Sequence, residues 1–153
     1  MGYLLTEYPG RSLKFRLAKR SDVSRVASIL EKFYSKHVDM YGIPWDRESA
    51  ERTILETIDD GLTLIGKGCC IGGIIKPWQW NKDQNIAFVV FWKAESHGGM
   101  RIFDVFRKVV EEKFNARVIA ASQFPDNRIL RFYAKRGLKP MEVHAITDPW
   151  VTH

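Results

Sequence analysis

Residues 86–101 read Ile86-Ala-Phe-Val-Val-Phe-Trp-Lys-Ala-Glu-Ser-His-Gly-Gly-Met-Arg101. The first seven form a continuous apolar run, too short for a helix of its own and rich in β-branched and aromatic residues. That composition predicts a strand buried on both faces at the centre of a sheet. After Arg101, the residues Ile102, Phe103, Phe106, Val109, Val110 and Phe114 recur at helical spacing and predict an amphipathic helix. Arg117-Val-Ile-Ala-Ala121 then reads as another strand. A strand, a Gly-Gly turn, a helix and a strand make a crossover unit, which joins parallel strands.

Upstream, Leu62–Ile65 and Cys69–Ile75 read as two strands joined by Gly66-Lys67-Gly68, a link short enough for a hairpin. Further back, Leu13, Phe15 and Leu17 alternate with Lys14 and Arg16, the period of a half-buried strand. Ser21 is the expected N-cap of a helix carrying Val23, Val26, Ala27, Leu30, Phe33 and Tyr34. Asp46 is expected to cap a second helix, through Ala50, Ile54 and Ile58, that stops at Asp60-Gly61. Downstream, a last helix is expected from about Asn127 to Arg136, closed by Gly137, with a terminal strand over Lys139–Ile146. Hairpins early and crossovers late imply a mixed sheet, antiparallel first and parallel beside the Gly-Gly turn. The expected class is α/β with α+β character, a sheet of roughly six to seven strands with about four helices. Residues 1–12 read as an N-terminal extension and 13–153 as a single domain.

Length and composition agree with that reading, since 153 residues suit one core. No apolar run approaches the ~20 residues of a membrane-spanning helix, and Met1–Gly10 lacks the pattern of a secretory signal. A soluble cytoplasmic protein is the expectation. The net charge of +6 suits anionic partners. The basic residues are spread along the chain, so nucleic acid has only charge behind it, and a nucleotide cofactor explains the charge equally well. Cys69 and Cys70 are adjacent, which on a strand points them to opposite faces and suits packing rather than a disulfide. His37, His144 and His153 show no ligand spacing, and no metal site is expected.

Two segments carry candidate chemistry. The turn Glu95-Ser-His-Gly-Gly-Met-Arg101 opens a helix, whose first N–H groups and positive dipole end attract phosphate, with glycines keeping side chains out of the way. A tight turn also wants glycine for its backbone alone. The second segment, Pro125-Asp-Asn-Arg-Ile-Leu-Arg-Phe-Tyr-Ala-Lys-Arg-Gly-Leu138, resembles the Asn-x-x-Ala-x-x-x-Tyr-x-x-x-Gly-Phe segment of GNAT acetyltransferases, with Tyr133 and Gly137 at the family spacing. Leu17-Ala-Lys-Arg-Ser-Asp-Val23 is similar to that family's opening strand and helix, and the element order resembles it over nearly the whole chain. The short Gly-Gly turn is similar to that of phage and prophage members. The family's usual pattern is Gln or Arg, two residues, Gly, one residue, and Gly or Ala; aligned on Gly98, this chain departs from it with Glu95 at the first position and Met100 at the last.

The resemblance implies a GNAT fold and transfer of an acetyl group from acetyl-CoA to a primary amine on a small molecule or protein. It places the cofactor in a split after the central strand, against Phe91, Trp92, His97, Gly98, Gly99, Met100 and Arg101, with Asn127 on the pantetheine arm. Tyr133 would be the acid that protonates the leaving thiolate, since a tyrosine hydroxyl with an ordinary pKa near ~10 still holds its proton at neutral pH. Glu95 is the first candidate for the base and His97 the second. Tyr41, Trp45, Trp78 and Trp80 would line the acceptor pocket, although large aromatics also serve as core or interface anchors. A different class of function remains open: a GNAT-fold protein without transfer activity, serving as a structural or binding component such as part of a phage particle, with residues 1–12 docking on an assembly partner.

Overall fold

The computed structural model describes residues 4–8, 11–40, 43–94, 98–120 and 127–141. These fall into two compact units, residues 1–119 and 120–153.

The first unit is built on a six-stranded sheet in sequential order. Strand β1 (Leu4–Tyr8) pairs antiparallel with β2 (Arg11–Leu17), and β2 with β3 (Gly61–Gly66). Strand β3 pairs antiparallel with β4 (Cys69–Trp78), and β4 with β5 (Asn81–Ala94). Strand β6 (Ala116–Ile119) closes the order, parallel to β5. The change from antiparallel to parallel falls where the crossover unit predicts it. The segment read as an extension contains β1, whose register sets Tyr8 opposite Arg11.

Helices α1 (Val23–Met40) and α2 (Arg47–Asp59) pack on one face of this sheet, and α3 (Gly99–Phe114) on the other. Alternation along β4 sorts the two cores. Cys70 belongs to a cluster with Val26, Ala27, Leu30, Ile54, Ile65 and Phe91, whereas Gly73 lies against Phe106 of α3. Cys69 and Cys70 are both buried and free, one toward each face. Helix α3 buries Ile102, Phe103, Val105, Phe106 and Val110. At roughly 1.5–3 kcal/mol for each buried side chain, that stripe outweighs the helix's intrinsic propensity and secures it on the sheet.

The corner between β2 and α1 is held by charge. A single 3-10 turn, Arg20–Asp22, precedes α1. Ser21 lies inside this turn and does not cap α1 as expected. The capping role falls to Asp22, whose carboxylate accepts from the Lys19 N–H at 2.7 Å and from both terminal nitrogens of Arg16 at 2.7 and 2.8 Å. The Arg16 guanidinium, above all, pulls the Asp22 carboxyl down to about 2. Asp46 caps α2 as expected, accepting from the Ser49 N–H at 3.0 Å. Within the core, the Thr63 hydroxyl donates to Thr57 at 2.8 Å and Thr57 to the Ile54 carbonyl at 2.7 Å, so both buried hydroxyls tying α2 to β3 are satisfied.

The second unit contains α4 (Asn127–Lys135), with Phe132 and Tyr133 buried. The Leu138 N–H donates to the Tyr133 carbonyl at 3.0 Å, and Gly137 takes φ 76°. A left-handed glycine at the helix end closes α4 as the sequence suggests. Residues 139–141 have no regular structure, and the rest of the expected terminal strand lies outside the described residues.

Candidate functional site: a bulged strand leading to a glycine-capped helix

Strand β5 is the longest in the sheet at 14 residues, and its two edges are treated differently. On one edge it pairs with β4 as far as Cys69↔Ala94. On the other, β6 accompanies it only from Asn85↔Ala116 to Phe88↔Ile119. Among the described residues, Val89–Ala94 therefore carries an edge that no strand occupies. The expectation of a strand buried on both faces is corrected here: Phe88 is 40% exposed, and Val89, Val90 and Trp92 are only half-buried.

The divergence has a local cause. Gly72 pairs with Phe91 and Gly73 with Val89, so Val90 is an extra residue opposite the Gly72-Gly73 step. Such a bulge bends its strand and sharpens the twist. The glycines permit it by close approach. A Cβ on Gly72 would lie 2.3 Å from the Phe91 ring, and one on Gly73 would lie 2.8 Å from the Phe88 carbonyl oxygen and 2.9 Å from the Phe106 ring. Adjacent glycines inside a strand pattern are the available signal for a bulge or a close backbone approach.

At the far end of β5 the chain turns into α3. Gly98 is the N-cap residue, with φ 109° and no side chain to offer. The first bond inside the helix runs from the Ile102 N–H to the Gly98 carbonyl at 2.8 Å. The N–H groups of Gly99 and Met100 precede that bond, so the helix itself leaves them open toward a ligand. A Cβ on Gly99 would lie 2.8 Å from that of Ala94, which keeps this residue small. The Trp92 indole N–H donates to the Gly99 carbonyl at 2.6 Å, and its ring packs 4.8 Å from that of Phe103. Trp92 thus fastens the helix start to β5. Met100 is 58% exposed and Arg101 half-buried in the same turn. This arrangement fits a phosphate-bearing ligand: a helix N-terminus, a glycine cap and a half-buried arginine in the first turn.

The remaining residues divide. Phe91 is buried in the cluster beneath α1 and α2, against which Trp45 packs from the segment before α2. Trp78 and Trp80 sit at the opposite end of the β4–β5 hairpin, where Trp78 pairs with Asn81. At about 3.3 Å per residue, β5 spans roughly 40 Å from there to Ala94. The expected acceptor pocket therefore groups residues that the sheet sets apart, because a hairpin carries its turn away from the strand ends. Trp80 is 77% exposed in that turn. Glu95, His97 and Tyr41 lie outside the described residues. In the second unit, Asn127 is the first residue of α4. The Tyr133 hydroxyl is pushed up to about 12 by burial. Among the described residues, no group of three or more His, Cys, Asp or Glu side chains could hold a metal ion.

No protein-family model matches this sequence, and no curated protein matches it. Solved structures do. A possible acetyltransferase from Clostridium difficile 630 superposes with a TM-score of 0.67 at 10% identity, over 92% of this chain and 99% of that one. A predicted acetyltransferase from Clostridium acetobutylicum, solved with acetyl-CoA, gives 0.61 at 14% identity over 92% and 95%. An aminoglycoside acetyltransferase from an uncultured soil metagenomic sample, solved with sisomicin, gives 0.58 at 14% over 92% and 96%. The chain has the GNAT acetyltransferase fold. In that GNAT frame, β5 is the strand that parts from its parallel neighbour, and α3 is the helix that follows it. No helix of the described residues is long and apolar enough to cross a membrane.

Proposed function

We propose that the protein is an N-acetyltransferase that takes the acetyl group from acetyl-CoA and passes it to a primary amine. The observation that carries this reading is the edge of β5 over Val89–Ala94, which no strand of the described residues occupies and which ends at the glycine-capped start of α3. An extended ligand with amide groups could pair along that edge while its phosphates rest on the helix N-terminus. Such a ligand is the pantetheine arm and pyrophosphate of coenzyme A. The acetyl-CoA in the Clostridium acetobutylicum structure and the amine-bearing sisomicin in the metagenomic one supply the chemistry by analogy.

In the proposed reaction the acceptor amine nitrogen attacks the thioester carbonyl carbon. A β5 backbone N–H next to the bulge donates to the carbonyl oxygen as it gains charge, and fixed geometry supplies most of the rate. The carbon–sulfur bond then breaks, and the thiolate takes its proton from the Tyr133 hydroxyl. Burial keeps that hydroxyl protonated throughout the neutral range. The amine proton passes to Glu95 or, failing it, His97. Gly98, Gly99, Met100 and Arg101 would hold the phosphates, Phe91 and Trp92 would support the strand, and Asn127 would meet the pantetheine arm. Tyr41 and Trp45 would flank the acceptor.

Calorimetry with acetyl-CoA, together with thiol release over a panel of amines, tests this. Saturable binding is expected, with turnover falling about a hundredfold or more in Tyr133→Phe if the hydroxyl is the acid. An absence of acetyl-CoA binding at millimolar concentration sinks the proposal and leaves a GNAT-fold binding or structural role.

A further inference from the structure

The start of α3 is located by side chains of the sheet. A Cβ on Gly98 would lie 3.7 Å from the Phe15 ring and 3.8 Å from the Cys69 sulfur, and one on Gly99 2.8 Å from that of Ala94. These contacts fix where the turn sits, but contact between side-chain surfaces aims nothing. Direction comes from Trp92. Strand β5 alternates, so that Phe91 enters the cluster under α1 while Trp92 faces α3. There the Trp92 indole N–H donates to the Gly99 carbonyl at 2.6 Å, bridging seven residues of chain from the strand to the first residue of the helix.

The indole is itself held. Its ring lies 4.8 Å from that of Phe103, a fully buried side chain one helical turn after Gly99. On the strand side, Trp92 pairs with Ile71 of β4. The Gly99 carbonyl shares one peptide unit with the Met100 N–H. That unit is planar, with its C=O and N–H pointing in opposite directions, so a donor that aims the one aims the other. A hydrogen bond accepted by the oxygen also polarises the unit and makes its N–H a stronger donor. The Met100 N–H is among the first-turn groups that the helix leaves unpaired.

We propose that Trp92 is a positioning residue for the pyrophosphate of acetyl-CoA: through the Gly99 carbonyl it aims and strengthens the Met100 N–H that receives a phosphate oxygen. This rests on the transferase reading above, which sets the phosphates at this turn. A phenylalanine would still pack against Phe103 but would lose the bond, so the indole N–H is the part of the residue that carries the role.

The two halves of the cofactor separate this role from a general one. The full chain and Trp92→Phe are titrated with ADP, which carries the pyrophosphate, and with S-acetylpantetheine, which has no phosphate. Acetyl-CoA binding is measured by calorimetry. Trp92→Phe should weaken ADP and acetyl-CoA by about tenfold each, the scale of one hydrogen bond to a charged group. The ratio of ADP to S-acetylpantetheine affinity should shift by the same factor. Equal losses for both halves, the result of a helix that has merely come loose, overturn the proposal. So does ADP affinity that is absent from the full chain or untouched in the variant. Where S-acetylpantetheine binds too weakly to compare, or Trp92→Phe does not fold, the full chain decides the matter by NMR. Saturation with acetyl-CoA should move the Met100 amide and the Trp92 indole N–H signals together, since both act on one peptide unit. Either signal moving alone, or neither moving, overturns the proposal and leaves the transferase reading standing. A chain that binds no acetyl-CoA removes that reading itself, and this proposal with it.

Discussion

Two glycine pairs act on β5, and they do so by different physics. Gly98 is constrained by torsion: its φ of 109° suits no side chain, yet a Cβ there would meet only ordinary contacts at 3.7–3.8 Å. Gly72 and Gly73 are constrained by space, the one by the Phe91 ring and the other by the Phe88 carbonyl and the Phe106 ring on the opposite face. The first pair turns the chain into a helix. The second lets the sheet bulge at Val90, so that β5 leaves its parallel neighbour. A glycine pair in a strand-to-helix turn announces itself as a binding loop. The pair that shapes the β5 edge lies in a neighbouring strand.

The largest effects should come from the crowded pair. Gly72→Ala and Gly73→Ala each force a buried aromatic or a carbonyl to move, at about 2–3 kcal/mol. Thermal melting should show a loss of roughly 5–10 °C for a chain of this size. A smaller loss than that of Gly98→Ala would invert the comparison.

The measurement has to be made where the β2–α1 corner is intact, and this yields the next prediction. The Asp22 carboxyl, held near 2 by Arg16, lies below its unfolded value of 3.8, so its contribution is full above pH 4 and is lost as pH falls from about 4 to 2. At 1.36 kcal/mol per pKa unit the contribution is about 2 kcal/mol. Asp22→Asn should lose about that much at pH 7 and show a flatter stability profile below pH 4 in urea titrations.

Gly98→Ala follows, at about 1–2 kcal/mol for a residue held outside its favoured torsions. It should also weaken acetyl-CoA binding in calorimetry, which Gly73→Ala would affect only through the strand's shape. The smallest effect belongs to Gly137→Ala. Its φ of 76° carries the torsional cost, about 1 kcal/mol, with nothing within 4 Å of the added carbon. Equal losses at Gly98 and Gly137 would identify torsion as the sole constraint at the helix start.

Much of this could be read from the chain. Periodicity located β2 through β6 and the four α-helices of the described residues, because buried stripes repeat at the spacing of the element that buries them. The errors have local causes. Asp22 displaced Ser21 as the cap because a carboxylate three residues after Lys19 could take both its N–H and the Arg16 guanidinium. Strand β1 went unread, although Pro9-Gly10 between Tyr8 and Arg11 is the kind of dipeptide that marks a turn. Trp78 and Trp80 looked like pocket residues because loop aromatics carry no sign of which end of a hairpin they occupy.

The sequence by itself determined the element order, the mixed sheet and the glycine-capped helix, all of which depend on residues near one another in the chain. Only the tertiary structure decided that β6 ends at Ile119, opposite Phe88, that Val90 bulges opposite Gly72 and Gly73, and that Lys93 sits over Tyr34 and Phe33. Those facts depend on register and on which faces meet. A one-residue slip between strands exchanges every side chain's face, and no local pattern records where the partner strand ends.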